Sequence, residues 1–302
     1  MSAPLHGVFP ILATCFHPDG RIDRDSQARL IDFCIDGGVH GLVLGANASE
    51  GHLLADEEKR DLLAFCLERI GGRVPAVATV NHPAGPVAAA GASWAQNMGA
   101  AAVMALPPFF GRWRAGLAEI EAHFAAMAGA VDVPLIVQDH ALSDIVLPVD
   151  FLADLARRLP NFQYVKLEAG NIPHKARALL QAAGANLAGV FGGNSGVFLP
   201  EEFAAGCTGT MPACYMPEVF RRAWDLLQAG DDAGAHAYFA PYSRLAAYEK
   251  DVCNRCVWKE LLVQRGVIAC GATRPPQPAF ADDWQLEQLV DVAVRAGLIE
   301  RA

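Results

Sequence analysis

Eight short apolar runs recur along the chain, separated by stretches with helical spacing, and this alternation restricts the fold more than any other feature. The runs fall at 8–13, 41–45, 75–80, 101–106, 134–137, 162–167, 187–191 and 208–211. Helical stretches lie between them at 26–36, 55–70, 86–97, 115–130 and 148–158. Asp25 or Ser26, Asp56 and Asp150 are candidate caps, and Gly37-Gly38, Gly71-Gly72 and Gly99 stand where helices end. Strand starts roughly 20–35 residues apart suit parallel βα units, and no hairpin signal interrupts them. The first run leads into Ala13-Thr14-Cys15-Phe16-His17-Pro18-Asp19-Gly20, a turn unlike the GxGxxG of a doubly wound sheet. The sequence therefore predicts an α/β fold, a (β/α)8 TIM barrel.

After about residue 215 the strand runs stop. Stretches at 217–229, 231–248, 253–265 and 282–295 read as helices, with a Pro-rich break at Arg274-Pro275-Pro276-Gln277-Pro278. The expected organisation is a catalytic barrel over 1–228 and a helical extension over 229–302 packed on it. With 53% hydrophobic and 19% charged residues among 302, the chain can bury a large core and is not of the disordered class. A net charge of −9 argues against nucleic acid or an anionic membrane as partner, while leaving room for a small anionic substrate held by local donors. No charge-free apolar stretch is long enough to span a bilayer, and Met1-Ser2-Ala3-Pro4-Leu5-His6 lacks the basic start and apolar core of a signal peptide. The expected location is the cytoplasm, with reduced thiols. Of eight cysteines only Cys253 and Cys256 have a paired spacing, and no histidine cluster accompanies them, so no metal site is expected.

In a parallel barrel the chemistry lies at the carboxyl ends of the strands. Lys166 stands out, within Phe162-Gln163-Tyr164-Val165-Lys166-Leu167-Glu168. Strand alternation places Phe162, Tyr164, Lys166 and Glu168 on one face and Val165 and Leu167 on the other, so Lys166 is expected to point inward. A desolvated lysine amine can attack a carbonyl and form a Schiff base, with Glu168 as acid/base partner. A buried Lys–Glu pair that only holds the fold together is the alternative. Asn47-Ala48-Ser49-Glu50-Gly51 offers an amide, a hydroxyl and backbone N–H groups for a carboxylate, or is an ordinary turn. Gly192-Gly193-Asn194-Ser195-Gly196 allows close backbone approach and adds two polar side chains, without the Lys-Ser/Thr of a phosphate loop. Gln138, Asp139 and His140 close the fifth run and His82 follows the third; Phe109, Phe110 and Trp113 suit a hydrophobic wall or a subunit contact.

Across essentially its whole length the chain resembles the dihydrodipicolinate synthase / N-acetylneuraminate lyase family. The matching segments are Gly7-Val8-Phe9-Pro10 with Asp19-Gly20, Gly41-Leu42-Val43-Leu44-Gly45 leading to Glu50, Gly72-Arg73-Val74-Pro75, Pro107-Pro108, Val133-Pro134 and the stretch 161–166. The resemblance implies a (β/α)8 barrel with a helical carboxyl-terminal extension, homo-oligomers (dimer or tetramer), and Lys166 as the Schiff-base lysine. The family's usual Gly-Thr-Thr-Gly-Glu is here Ala46-Asn47-Ala48-Ser49-Glu50; the fifth-strand tyrosine is Gln138; the tyrosine pair is Phe109-Phe110. The usual arginine is also absent, with Ser143 near its place. These departures disfavour a lysine-pathway synthase and a sialic acid lyase. The chain is most similar to the L-2-keto-3-deoxyarabonate dehydratase subgroup, through Phe16-His17-Pro18-Asp19-Gly20, Ala46-Asn47 with Ser49-Glu50, and Val137-Gln138-Asp139. It continues through Lys166 with Glu168, and Arg265-Gly266-Val267-Ile268-Ala269-Cys270 followed by Arg274-Pro275. That resemblance implies dehydration of a 2-keto-3-deoxy sugar acid with no metal or organic cofactor. In it Lys166 carries the Schiff base, Glu168 shuttles a proton and Gln138 orients. Asn47 and Ser49 hold the carboxylate, and His82, Asn194 and Ser195 meet distal hydroxyls. The alternatives are a pyruvate-releasing retro-aldolase and a non-catalytic sugar-acid-binding barrel.

Overall fold

The computed structural model describes residues 4–110, 112–140, 144–253, 258–277 and 282–301. In chain order the elements are β1 (Gly7–Val8), α1 (Arg24–Asp36), β2 (Leu42–Leu44), α2 (Asp56–Ile70), β3 (Ala76–Thr79), α3 (Gly85–Asn97) and β4 (Ala102–Ala105). A hairpin of β5 (Phe109–Phe110) and β6 (Trp113–Arg114) precedes α4 (Leu117–Ala128), β7 (Leu135–His140) and α5 (Val149–Arg158). There follow β8 (Phe162–Glu168), α6 (Ile172–Ala183), β9 (Gly189–Gly192), α7 (Leu199–Ala204), β10 (Gly209–Thr210) and α8 (Pro217–Gln228). Helices α9 (Asp232–Asp251), α10 (Lys259–Gln264) and α11 (Asp283–Arg295) complete the described chain. Leaving the hairpin aside, eight strands each followed by a helix are the (β/α)8 arrangement that the alternation predicts, with α9 to α11 beyond the eighth helix.

The chain divides into two compact units, one of residues 1–6, 75–193 and 201–210, the other of 7–74, 194–200 and 211–302. In the first unit six parallel strands run in the order β10, β9, β8, β7, β4, β3. Val77, Val103, Ile136, Val165 and Val190 are fully buried, as expected of strands covered on both faces. In α3, Ala88, Ala92 and Ala95 are fully buried at helical spacing, and their small side chains let the backbone approach its neighbours closely. The register pairs Gln138 with Lys166, His140 with Glu168, Lys166 with Phe191 and Leu167 with Gly192. Tyr164, two residues before Lys166, is buried; its hydroxyl accepts a hydrogen bond from the Leu5 N–H at 2.9 Å and its ring lies against Phe191.

In the second unit Ile11 bridges in parallel to both Val43 and Ala213. Helix α1 is capped by Asp23, whose carboxylate accepts from the Ser26 N–H at 3.0 Å and the Ser26 hydroxyl at 2.6 Å. Asp25 and Ser26, the expected caps, lie inside the helix, because the capping oxygen must precede the N–H it accepts from by two or three residues. Lys259 of α10 is fully buried, with Nζ 2.6 Å from Glu50 Oε1 and over the Phe16 ring. It also donates to the carbonyls of Thr14 and Ala272. Arg274 makes a two-point pair with Glu58 at 2.6 and 2.9 Å, and its backbone N–H donates to Glu50. Arg265 donates to the Tyr215 carbonyl and to Glu218. Arg265 and Arg274, two landmarks of the resemblance, are thus parts of an internal latch.

Three readings need correction. A hairpin does interrupt the parallel units, at β5 and β6, each only two residues long. Caps Asp56 and Asp150 give way to Ala55 and Pro148. The predicted helix at 253–265 is α10 alone, and its first turn, with Cys256, falls outside the described residues, as do Ser143 and Pro278. Helices α6 and α7 are two of the eight that the (β/α)8 alternation requires. Cys15, Cys34, Cys66, Cys207 and Cys214 are free and buried, and burial pushes the Cys66 thiol up to about 12.

Candidate active site

Lys166 is fully buried in the middle of the seven-residue strand β8. Its Nζ lies 2.9 Å from Glu168 Oε2, two residues on and therefore on the same face. The parallel register sets Gln138 of β7 beside Lys166, and its Nε2 donates to the same Glu168 oxygen at 2.6 Å. Two nitrogen groups, one from each of two adjacent strands, thus converge on one carboxylate oxygen. The Gln138 Oε1 has no hydrogen-bond partner among the described residues, so it is available to accept. Lys166 has no exposed surface, whereas the Glu168 side chain keeps 8% exposure, which makes the carboxylate the outward member of the pair.

Burial alone pushes the Glu168 carboxyl up. The charges of Lys166 and His140 and hydrogen bonds from Gln138 and Lys166 outweigh it, holding the group below the usual carboxylate range. Glu168 is therefore charged and able to accept a proton. Asp139, which pairs in register with Leu167, is occupied elsewhere: it pairs with Lys175 of α6 at 2.5 Å and accepts from the Leu147 N–H at 2.9 Å. It anchors the chain beyond β7.

One acid was missed by the sequence reading. Glu202 of α7 is 1% exposed, and neither carboxyl oxygen has a hydrogen-bond partner among the described residues. Burial pushes it up to about 8, helped by the charges of Glu168 and Glu201 and opposed by Lys166. Glu201-Glu202 carries no motif that singles it out; the signal available was Leu199, three residues before Glu202, which marks the buried face. Gly192 and Gly193 serve these acids. A Cβ at Gly192 would overlap the Glu202 carboxyl, and one at Gly193 would overlap Glu168. The close approach expected of this pair is to two side chains of the protein.

The other expected site residues lie as follows. His82, in the first unit beyond β3, is half-buried, with Nδ1 accepting from the Ala84 N–H at 3.0 Å. Asn47 and Ser49 belong to the second unit, in a 3₁₀ turn ending at Glu50, whose φ of 55° is left-handed. The Ser49 hydroxyl donates to the Leu12 carbonyl at 2.6 Å, and the Thr14 hydroxyl donates to the Ser49 carbonyl at 2.5 Å. The free donor of this loop is Asn47 Nδ2, buried and without a partner among the described residues. Asn194 and Ser195, also in the second unit, both adopt left-handed backbone with φ of 50° and 58°. Ser195 hydrogen-bonds the buried Glu249, whose carboxyl burial pushes up to about 7. The structure brings Lys166, Glu168 and Gln138 together, with Glu202 beside them.

Among the described residues no group of three or more His, Cys, Asp or Glu side chains is placed to hold a metal ion. No described helix is long and apolar enough to cross a membrane.

Comparison with known proteins agrees with this architecture. The model of the dihydrodipicolinate synthetase family matches residues 4–294. An L-2-keto-3-deoxyarabonate dehydratase of Azospirillum brasilense is 34% identical over 290 residues, covering 95% of this chain and 94% of its own. A 4-hydroxy-tetrahydrodipicolinate synthase of Stenotrophomonas maltophilia is 30% identical over 238 residues, 78% of each chain. The crystal structure of dihydrodipicolinate synthase from Rhodopseudomonas palustris superposes with a TM-score of 0.88 at 26% identity, covering 96% of this chain and 97% of that one. The chain belongs to the dihydrodipicolinate synthetase family.

Proposed function

We propose that the protein is a Schiff-base hydro-lyase that removes water from a 2-keto-3-deoxy sugar acid of the L-2-keto-3-deoxyarabonate type, giving a 2-keto acid semialdehyde. The observation that carries this reading is the buried Lys166–Glu168–Gln138 group at the end of β7 and β8. The similarity to the Azospirillum dehydratase supports the substrate class.

Lys166 Nζ gives up a proton and attacks the C2 carbonyl; a C–N bond forms and the carbonyl oxygen leaves as water, producing an iminium ion. The iminium draws electrons from the C3–H bond, and Glu168 takes that proton. The enamine electrons then expel the C4 hydroxyl, which leaves as water with the proton returned by Glu168. A proton moves from C5 to C3, leaving a C4=C5 enol; the enol hydroxyl gives its proton up as the C5 aldehyde forms and C4 takes one, and hydrolysis of the imine frees the semialdehyde and Lys166. The net change is one water lost and no carbon–carbon bond broken. Gln138 cannot carry a proton through this sequence; it holds Glu168 by its N–H and offers Oε1 to the imine or to a water. The iminium is itself the electron sink, so neither metal nor organic cofactor takes part in this scheme. Following the resemblance, Asn47 and Ser49 take the substrate carboxylate, and His82, Asn194 and Ser195 its distal hydroxyls. Because the Ser49 proton is given to Leu12, Asn47 is the stronger donor of the two. We further propose a cytoplasmic homo-oligomer, dimer or tetramer.

The test is reductive trapping. Treating the protein with pyruvate or a 2-keto-3-deoxy acid and cyanoborohydride should add the ligand's mass less its carbonyl oxygen irreversibly to Lys166, and Lys166→Ala should abolish both trapping and turnover. Substantial turnover by that variant refutes the assignment. Mass analysis of products separates dehydration from retro-aldol cleavage: an unbroken carbon chain minus water supports the proposal, and pyruvate plus an aldehyde overturns it.

A further inference from the structure

Glu202 is a buried acid that the scheme above does not use. Its carboxyl rests against Gly192, and the next residue, Gly193, seats Glu168. Gly192 pairs in register with Leu167, the residue between Lys166 and Glu168. Two carboxyl groups and one ammonium therefore share one buried neighbourhood. The ammonium is engaged by Glu168 at 2.9 Å, and no donor among the described residues serves either Glu202 oxygen. One cation cannot neutralise two buried carboxylates, and an ionised carboxylate without donors is costly at this depth. The charged or titratable groups that act on Glu202 are Lys166 and Glu168 from β8, Glu201 on its own helix, and the Cys207 thiol just beyond α7.

We propose that Glu202 is a positioning residue that works in its neutral, protonated form, leaving Glu168 as the sole counter-charge of Lys166, and that its ionisation retains the Lys166 ammonium and slows attack on the keto acid. Attack requires Lys166 Nζ to release a proton before the C–N bond forms. A second negative charge nearby opposes that release, while the proton lost by Glu202 passes to solvent. The inference rests on Lys166 being the Schiff-base lysine. It predicts that a group outside the substrate's reach sets the alkaline limit of imine formation.

The experiment compares the rate of cyanoborohydride trapping with pyruvate at Lys166 in the whole protein and in Glu202→Gln, which keeps shape but cannot ionise. The ratio of variant to wild-type rate should rise about tenfold between about pH 7 and about pH 9, the factor that one unit of coupling supplies. A ratio that does not change with pH overturns the proposal, even if both proteins trap pyruvate well. Failure of the wild type to trap at any pH removes the Lys166 reading and this inference with it. An infrared difference spectrum at about pH 6 gives a second readout independent of turnover. The C=O stretch of a protonated carboxylic acid should be present in the wild type and missing from the variant; absence of that band difference is a refutation. Glu202→Met, which also removes the ionisation, replaces Gln should the latter not fold.

Discussion

A carboxylate that must both neutralise a lysine and accept a proton is under opposing demands, and Glu168 shows how they are balanced. The Lys166 ammonium and the Gln138 amide keep it charged, yet it stays the exposed edge of the pair. Glu168→Gln should therefore lower kcat by about 10²–10⁴-fold, the usual worth of a positioned acid/base, while trapping of a keto acid at Lys166 survives. Turnover near the wild-type rate would take Glu168 out of the proton path. Gly193→Ala should act on the same carboxylate without touching its charge, because the new methyl occupies the space of the Glu168 side chain. A loss in kcat larger than any change in KM is the expected signature. The inward burial of Lys166 beside Glu168 was legible in the strand alternation, whereas its Schiff-base role came from the resemblance, because the residues alone left a structural Lys–Glu pair equally open. Glu202 was not legible, because a pair of glutamates opening a helix usually faces water and only tertiary packing turned one of them inward. The direction of the Ser49 hydroxyl was equally invisible; it depends on the carbonyl of Leu12, a residue 37 positions away.

Among the elements, α10 and the loop after it hold the turn at Glu50 in place through Lys259 and Arg274. Breaking one side of a fully buried ion pair costs about 3–5 kcal/mol, since it strands the other charge. Lys259→Met should lower the thermal midpoint sharply, and adding Glu50→Gln should recover part of the loss. Additive losses in the double variant would mean that the two side chains do not act as a pair. The strands and most helices were legible because apolar runs and helical spacing are local signals. The hairpin at β5 and β6 was not, since two-residue strands carry no periodicity to read. The latch escaped as well. Arg265 and Arg274 could be seen as landmarks of a subgroup, but the partners that explain them, Tyr215, Glu218, Glu50 and Glu58, lie far away in the chain.

For the molecule as a whole, alternation of strands and helices was enough to give the fold class, because no other arrangement of eight parallel βα units without a nucleotide fingerprint competes well. Its stability should depend on pH in a particular direction. Glu249 and Glu202 hold their protons up to about 7 and about 8 when folded, above the usual carboxylate range. An unfolded chain releases these protons earlier, so the stabilisation is complete below the ordinary carboxylate value and drains away as pH rises toward the folded values. Each group costs about 1.4 kcal/mol per pH unit across its window. The thermal midpoint should fall between about pH 5 and about pH 8, and Glu249→Gln should flatten that decline. A midpoint that stays level in the wild type over this span contradicts the burial of both acids. The sealed thiols add a different consequence. An alkylating reagent reaches Cys66 or Cys214 only when the fold opens, so at a reagent concentration where labelling outpaces reclosing its speed counts opening events. The chain carries its own clock for how often it comes apart.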